Sequence, residues 1–357
     1  MNQHTRFNLP LCLAVEEDAF LYTEKIVTDY LPDIKGQKTL VISEPFLIDL
    51  YSDKIKAIRK DFDDAELYAM ENSDYDEAVS IAKKICIEDI KVVIGIGGGR
   101  VLDTAKYAAF VSRAVYICLP TTLSNDSLAS PFSVLAMEGV NRKTLPCKIP
   151  TAIIVDTDMI LNAPIGQTLS GIGDTLAKYT ALYDWKLSAE AAGMHIDDFA
   201  DAIANMAFDS VFHCDEKTIK SKAFIRILSR ALVMGGLAME IAGSSRPCSG
   251  SEHLFAHAIE EYYPQIKVSH GIAVALGSIA ACVFQGRDET RLLEVMETYG
   301  IDHNPMSYGI DKDMFYDIWS RAEETRPGRI TILNSTTLDK KWLDDIYDRM
   351  SRQYTQA

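Results

Sequence analysis

Pairing signals for cysteine are missing from this chain. Its seven cysteines, an odd number, run from Cys12 to Cys282 without a single C-x-x-C pair, so neither a disulfide framework nor a thiolate zinc site is indicated. They read as small buried hydrophobes. Basic residues are short as well: 36 Lys and Arg face 51 Asp and Glu, a formal charge of −15. Nucleic acids and anionic membranes bind basic surfaces that replace counterions, so neither is expected as a partner. An anionic small substrate would need a local basic pocket. Long apolar runs are lacking too. The longest, Ile272 to Phe284, is interrupted by Gly277 and Ser278 and falls short of the roughly 20 residues of a membrane-spanning helix. Met1 to Pro10 lacks the basic stretch and apolar core of a secretory signal, which points to the cytoplasm. No internal repeat, low-complexity tract or flexible linker appears.

What is present is an ordinary globular composition, 48% apolar and 24% charged, able to build a packed core. A chain of 357 residues is longer than one small core needs, so two domains are expected. Residues 1–162 alternate β-type runs with helical patterns, the signature of an α/β domain with a parallel sheet. The strands are expected at Thr39–Ser43, Ala65–Ala69, Val92–Gly95, Ala114–Cys118 and Ala152–Asp156, with helices at Tyr75–Ile87 and Asp103–Ser112. After Pro164 the β-branched runs largely stop. Residues 163–357 read as an all-α domain, with helices over 166–192, 197–214, 219–243, 251–261 and 271–285. A cleft between the two parts would be the natural ligand site.

Val92-Val-Ile-Gly-Ile-Gly-Gly-Gly-Arg100 sets three consecutive glycines between a strand and a helix starting near Val101. Glycines let backbone approach a pyrophosphate, and the helix N-terminus favours its charge. The third glycine directly follows the second, so this is not the G-x-G-x-x-G fingerprint. A ligand-free turn would use the same residues. Leu119-Pro-Thr-Thr-Leu-Ser-Asn-Asp-Ser-Leu-Ala-Ser-Pro131 follows the next strand, and its hydroxyls suit phosphate and ribose oxygens as well as an ordinary helix cap. Ser43 or Glu44, after the first strand, could meet the adenosine ribose; an acid there favours NAD over NADP.

Three of the seven histidines fall in one window. His253 and His257 share a helical face, and His270 opens the next helix. Two imidazoles and a carboxylate would hold a catalytic divalent metal with a position open for substrate. Asp174, in Ser170-Gly-Ile-Gly-Asp174 at the expected start of a long helix, offers that carboxylate. Alone it would read as an acid favoured by the helix dipole. His4, His195, His213 and His303 read as structural. Lys106 and Arg246 are candidates to offset a phosphate, or else solvated surface cations.

The stretches Gly97–Lys106, Pro120–Pro131, Pro150–Asp158, Ser170–Asp174 and Arg246–His253 resemble the dehydroquinate synthase-like superfamily. It includes iron- or zinc-dependent alcohol dehydrogenases, glycerol dehydrogenase and, most similar, glycerol-1-phosphate dehydrogenase. The resemblance spans about residues 40 to 285 and implies an NAD- or NADP-dependent enzyme interconverting dihydroxyacetone phosphate and sn-glycerol 1-phosphate or a related polyol phosphate. It implies that Gly97, Gly98, Gly99, Asp103, Thr121, Thr122, Ser124 and Ser130 hold the dinucleotide. Asp174, His253 and His270 would bind one divalent metal, zinc foremost with iron or nickel as alternatives, while His257 and Asp126 meet the substrate. A homo-oligomer is implied as well. One departure stands out: Ile272 follows His270-Gly271 where the family usually has an acid. The alternatives are a glycerol dehydrogenase, a dehydroquinate synthase-like cyclase and a non-catalytic nucleotide- or metal-binding protein.

Overall fold

The computed structural model describes residues 7–352. Two compact units form: residues up to 164 together with 220–240, and residues 165–219 together with those from 241 onward.

The first unit is built on a six-stranded parallel sheet. Its strands are β1 (Cys12–Glu16), β2 (Thr39–Ser43), β3 (Glu66–Ala69), β4 (Val92–Gly97), β5 (Val115–Pro120) and β8 (Ala152–Asp156), in the order β1-β8-β5-β4-β2-β3. β2, β4 and β8 are buried at every position, which is why they read as continuous apolar, β-branched runs. Every strand expected from the sequence is present. Three others were not foreseen: β1, whose Leu13 is exposed, and the hairpin of β6 (Phe132–Met137) and β7 (Val140–Pro146). Polar residues fill β7, so no alternation marks it, and the hairpin turns at Gly139 with φ +77°.

The chain leaves β2 toward β3 on one side and β4 toward β5 on the other. Ligands of open α/β sheets bind at such switch points, beyond the carboxyl ends of the strands. Glu44 follows β2 there, and the glycine turn follows β4.

One helix, Lys222–Ala242, departs from the expected division of the chain. Most of it packs with the first unit. Lys222 pairs with Glu17 at 2.9 Å and Asp158 at 2.8 Å, and a Cβ on Gly236 would stand 2.3 Å from the Ala129 carbonyl oxygen.

The second unit is helical. The helix expected over 166–192 is two helices, Ile165–Leu176 and Lys178–Ala191, meeting at Ala177. At the break, Lys178 Nζ lies 3.3 Å from the Asp174 carbonyl and Thr180 Oγ1 3.1 Å from the Ala177 carbonyl. Asp174 therefore occupies the last turn of its helix, not the first as expected, and the N-terminal dipole does not act on it. Gly173 beside it serves packing. A Cβ on Gly173 would stand 2.3 Å from the Gly271 carbonyl oxygen. Ser251–Tyr262 and His270–Phe284 form the next two helices. Beyond them lie Thr290–Tyr299, Lys312–Arg321 and Lys340–Met350. Among the described residues no helix is long and apolar enough to cross a membrane.

Candidate metal and dinucleotide sites

In the first unit, β4 ends at Gly97, Gly98 precedes the helix without a side-chain cap, and the helix Gly99–Ser112 begins two residues earlier than expected. Uncapped N–H groups at a helix start are a ready anion site. The hydroxyl-rich loop closes over this turn. A Cβ on Gly98 would stand 3.4 Å from Thr122 Oγ1, and one on Gly99 3.1 Å from Ser127 Oγ. Thr121 N donates to the Gly97 carbonyl at 2.9 Å. Thr122, Ser124 and Asp126 are half-buried in the loop, and Ser130 is buried with its Oγ accepting from Phe132 N at 3.1 Å.

Asp103 and Lys106 pair with each other inside the protein. Lys106 is 1% exposed and donates to Asp103 Oδ1 and to the Ser127 carbonyl, both at 2.9 Å. A solvated surface role is thereby excluded. Asp103 Oδ2 accepts from Val134 N at 3.0 Å, so both oxygens are engaged inside the protein. Burial pushes its carboxyl above the ordinary range, against the pull of Lys106. Ser43 is likewise committed, donating to the Ile96 carbonyl at 2.7 Å. Glu44 is half-buried and its Oε1 pairs with Arg100 Nη2 at 2.8 Å, across the switch point between β2 and β4.

In the second unit, ligand-capable atoms of Asp174, His253 and His270 all lie within 4.8 Å of one another. Asp174 Oδ1 is 3.8 Å from His253 Nε2, and the buried Oδ2 has no hydrogen-bond partner among the described residues. Each imidazole is backed by a carboxylate that the sequence had not singled out. His253 Nδ1 lies 2.8 Å from Glu252 Oε1, and His270 Nδ1 lies 2.9 Å from Glu260 Oε1. Such contacts fix the Nδ1–H tautomer and turn Nε2 toward a metal. Burial holds the His253 imidazole well below its ordinary pKa, with the charges of His270, Arg329 and Lys178 adding to it. The neutral ring is the ligating form.

His257 stands apart from the three, its ring 6.2 Å from His253 and 6.1 Å from His270. It is held neutral by burial and then by the charge of Arg326. Behind the cluster, Glu252 accepts from Gly250 N at 2.5 Å and Thr180 Oγ1 at 2.8 Å, and burial pushes its carboxyl up to about 7. Asp184, which accepts from Ser251 N at 2.6 Å, is pushed up to about 6 by burial and the Glu252 charge. Glu252 precedes His253 in the chain, whereas Asp184 reaches Ser251 from 67 residues away through packing.

Of the remaining histidines, His195 is exposed. His303 is buried between the Met350 carbonyl at 2.6 Å and Glu297 at 3.0 Å, and exposed His213 sits 3.8 Å from Asp209. His4 lies outside the described residues.

The model of the iron-containing alcohol dehydrogenase family matches residues 22–164. Over 311 residues the chain is 35% identical to the glycerol-1-phosphate dehydrogenase, NAD(P)+, of Sulfolobus acidocaldarius, covering 84% of this chain and 88% of that one. It is 33% identical to its namesake from Pyrobaculum arsenaticum over 345 residues, 94% of this chain and 95% of the other. The chain belongs to the glycerol-1-phosphate dehydrogenase family. Two solved structures share its fold. Glycerol dehydrogenase from Schizosaccharomyces pombe superposes with a TM-score of 0.77 at 21% identity over 98% of this chain and 91% of that one. Sulfoacetaldehyde reductase from Bifidobacterium kashiwanohense, solved in complex with NAD+, gives 0.72 at 14% identity over 99% and 100%.

Proposed function

We propose that this protein is a metal-dependent NAD(P) oxidoreductase that interconverts dihydroxyacetone phosphate and sn-glycerol 1-phosphate. The observation that carries the reading is the Asp174, His253 and His270 cluster in a chain of this family, two imidazoles and a carboxylate with an orphaned buried oxygen. That donor set fits a divalent cation with an open position for substrate. A cation bound there, zinc first with iron and nickel as alternatives, supplies Lewis-acid polarisation of the substrate's carbonyl oxygen.

The chain's own residues do the rest. The backbone at Gly97, Gly98 and Gly99 takes the pyrophosphate, and Thr121, Thr122, Ser124 and Ser130 shape the loop over it. Asp103 and Lys106 contribute by fixing that loop through their buried pair. Glu44 accepts from the adenosine ribose. A dinucleotide held there would supply the hydride acceptor and donor, and neutral His257 would pass the substrate's hydroxyl proton to solvent. Asp126 orients the terminal hydroxyl.

The test is NADH and NADPH oxidation by zinc-loaded protein with dihydroxyacetone phosphate, with dihydroxyacetone alongside and a chelator control. Chelator-sensitive oxidation that prefers the phosphate ester supports the reading. Preference for dihydroxyacetone makes the protein a glycerol dehydrogenase, and inactivity with both removes the reading.

A further inference from the structure

Arg326-Pro327-Gly328-Arg329 is a tight turn. Arg329 N donates to the Arg326 carbonyl at 3.1 Å, and Gly328 has φ +81°. Proline at the second position and a left-handed glycine at the third are the signature of a type II turn, which brings its first and fourth residues side by side. Here those residues are both arginines. The preceding turn, Ala322–Thr325, packs against the helix that carries His253 and His257.

A third arginine joins them. Arg329 donates from Nη1 to Ser245 Oγ at 3.2 Å and from Nη2 to the Ser249 carbonyl, while its buried Nε has no hydrogen-bond partner among the described residues. Arg246 donates from Nη1 to the Ile330 carbonyl at 2.5 Å. Arg329 feels the charges of both Arg246 and Arg326, with Glu252 and Asp184 opposing them. Arg326 in turn lies close enough to His257 and Glu260 for its charge to act on both.

Gathering three guanidinium groups beside the metal cluster is costly by itself. Their two buried acidic neighbours already accept from Thr180, Gly250 and Ser251. In a chain of net charge −15, such a cluster is the local basic pocket that an anionic substrate requires. Its place, next to a turn that packs against the helix carrying His253, suits the chemistry as well. In a triose phosphate only a methylene and an oxygen separate the carbonyl carbon from phosphorus, so the phosphate must be met close to the metal ligands.

We propose that the Arg326–Arg329 turn, with Arg246 beside it, receives the phosphomonoester of the substrate, and that Arg326 sets the preference for a phosphorylated over an unphosphorylated ketone. The substrate part of this inference rests on the dehydrogenase reading; the anion site does not. Planar guanidinium groups suit phosphate because they donate in parallel pairs.

The experiment compares metal-loaded wild type, Arg326→Gln and Arg326→Lys. Kinetics with dihydroxyacetone phosphate and dihydroxyacetone are read beside the thermal shift given by inorganic phosphate on protein saturated with NADH. Arg326→Gln is expected to raise KM for dihydroxyacetone phosphate by about 10–100-fold, the effect of a lost hydrogen bond to a charged group. The ratio of kcat/KM between the two ketones should collapse with it, and the phosphate shift should vanish. Arg326→Lys, which keeps the charge and loses the fork, should fall between. A folded, metal-bound Arg326→Gln with wild-type KM and an intact phosphate shift overturns the proposal, as does a wild type that phosphate does not stabilise. If Arg326→Gln does not fold, an unaltered KM in Arg326→Lys overturns it. If wild type turns over neither ketone, the dehydrogenase reading fails, and a phosphate shift abolished in Arg326→Gln still upholds the anion site.

Discussion

A Cβ on Gly271 would stand 1.9 Å from the carbonyl oxygen of Ser170. The two helices that supply Asp174 and His270 therefore touch backbone to backbone, and neither contact atom is the end of a flexible side chain. Gly271→Ala should force them apart, destabilising the protein by about 1–3 kcal/mol, the ordinary cost of overpacking. It should also loosen the ligand set. Urea unfolding and bound-metal content check both, and a variant that keeps wild-type values would show that the contact does not hold the cluster.

Glu260 sits 2.9 Å from the ring nitrogen of His270 that faces away from the cluster. Glu260→Gln should weaken metal binding by about 10–100-fold, as loss of such partners typically does. Competition against a chelator of known affinity measures it. Unchanged affinity would assign Glu260 a surface role only.

His257 should make acid stability its own. Burial and the Arg326 charge keep its imidazole neutral in the folded chain, whereas in the unfolded chain it protonates below about pH 6.5. Below that pH the unfolded state binds the extra proton, so stability falls as pH falls. Metal-free wild type should lose about 1.4 kcal/mol more per pH unit than His257→Gln in that window. Parallel slopes in the two proteins would mean that the ring protonates without cost.

Lys106 and Asp103 form a buried pair, and removing one charge strands the other. Lys106→Met should cost about 3–5 kcal/mol, and a second substitution, Asp103→Leu, should recover much of that loss. Denaturant midpoints of the single and double variants decide. A mild Lys106→Met would show that water reaches Asp103.

Glu44 should discriminate between dinucleotides. Two like charges at 4 Å repel by about 1–4 kcal/mol at the dielectric of a surface site, so Glu44→Gln should raise kcat/KM for NADPH relative to NADH by roughly tenfold. An unaltered ratio would place the ribose elsewhere.

Much of the frame was legible because burial leaves a trace in local composition. β2 and β8 were readable to the residue as β-branched runs, and Tyr75–Ile87 as a helix whose Asp74 side chain accepts from Glu77 N at 2.8 Å. β7 left no such trace, since pairing with β6 rather than composition makes it a strand. Asp174 was expected at the start of a helix but lies in its last turn, where the neighbouring Gly173 meets another helix. Glu260, Arg326 and Arg329 escaped notice for a different reason. Each meets the site through neighbours brought from elsewhere in the chain, and no spacing rule reports a contact between residues 245 and 329.

The helix Lys222–Ala242 packs with a unit whose other elements all precede residue 165. Half of this enzyme cannot then be lifted out as a contiguous cassette. A gene fragment ending after Pro164 would leave Ala129 without the close-fitting Gly236 and Glu17 without Lys222. Recombination between relatives is similarly constrained, because a crossover between residues 165 and 219 would join one parent's sheet to the other's helix. Inheritance of the two halves is thereby coupled by the path of the chain.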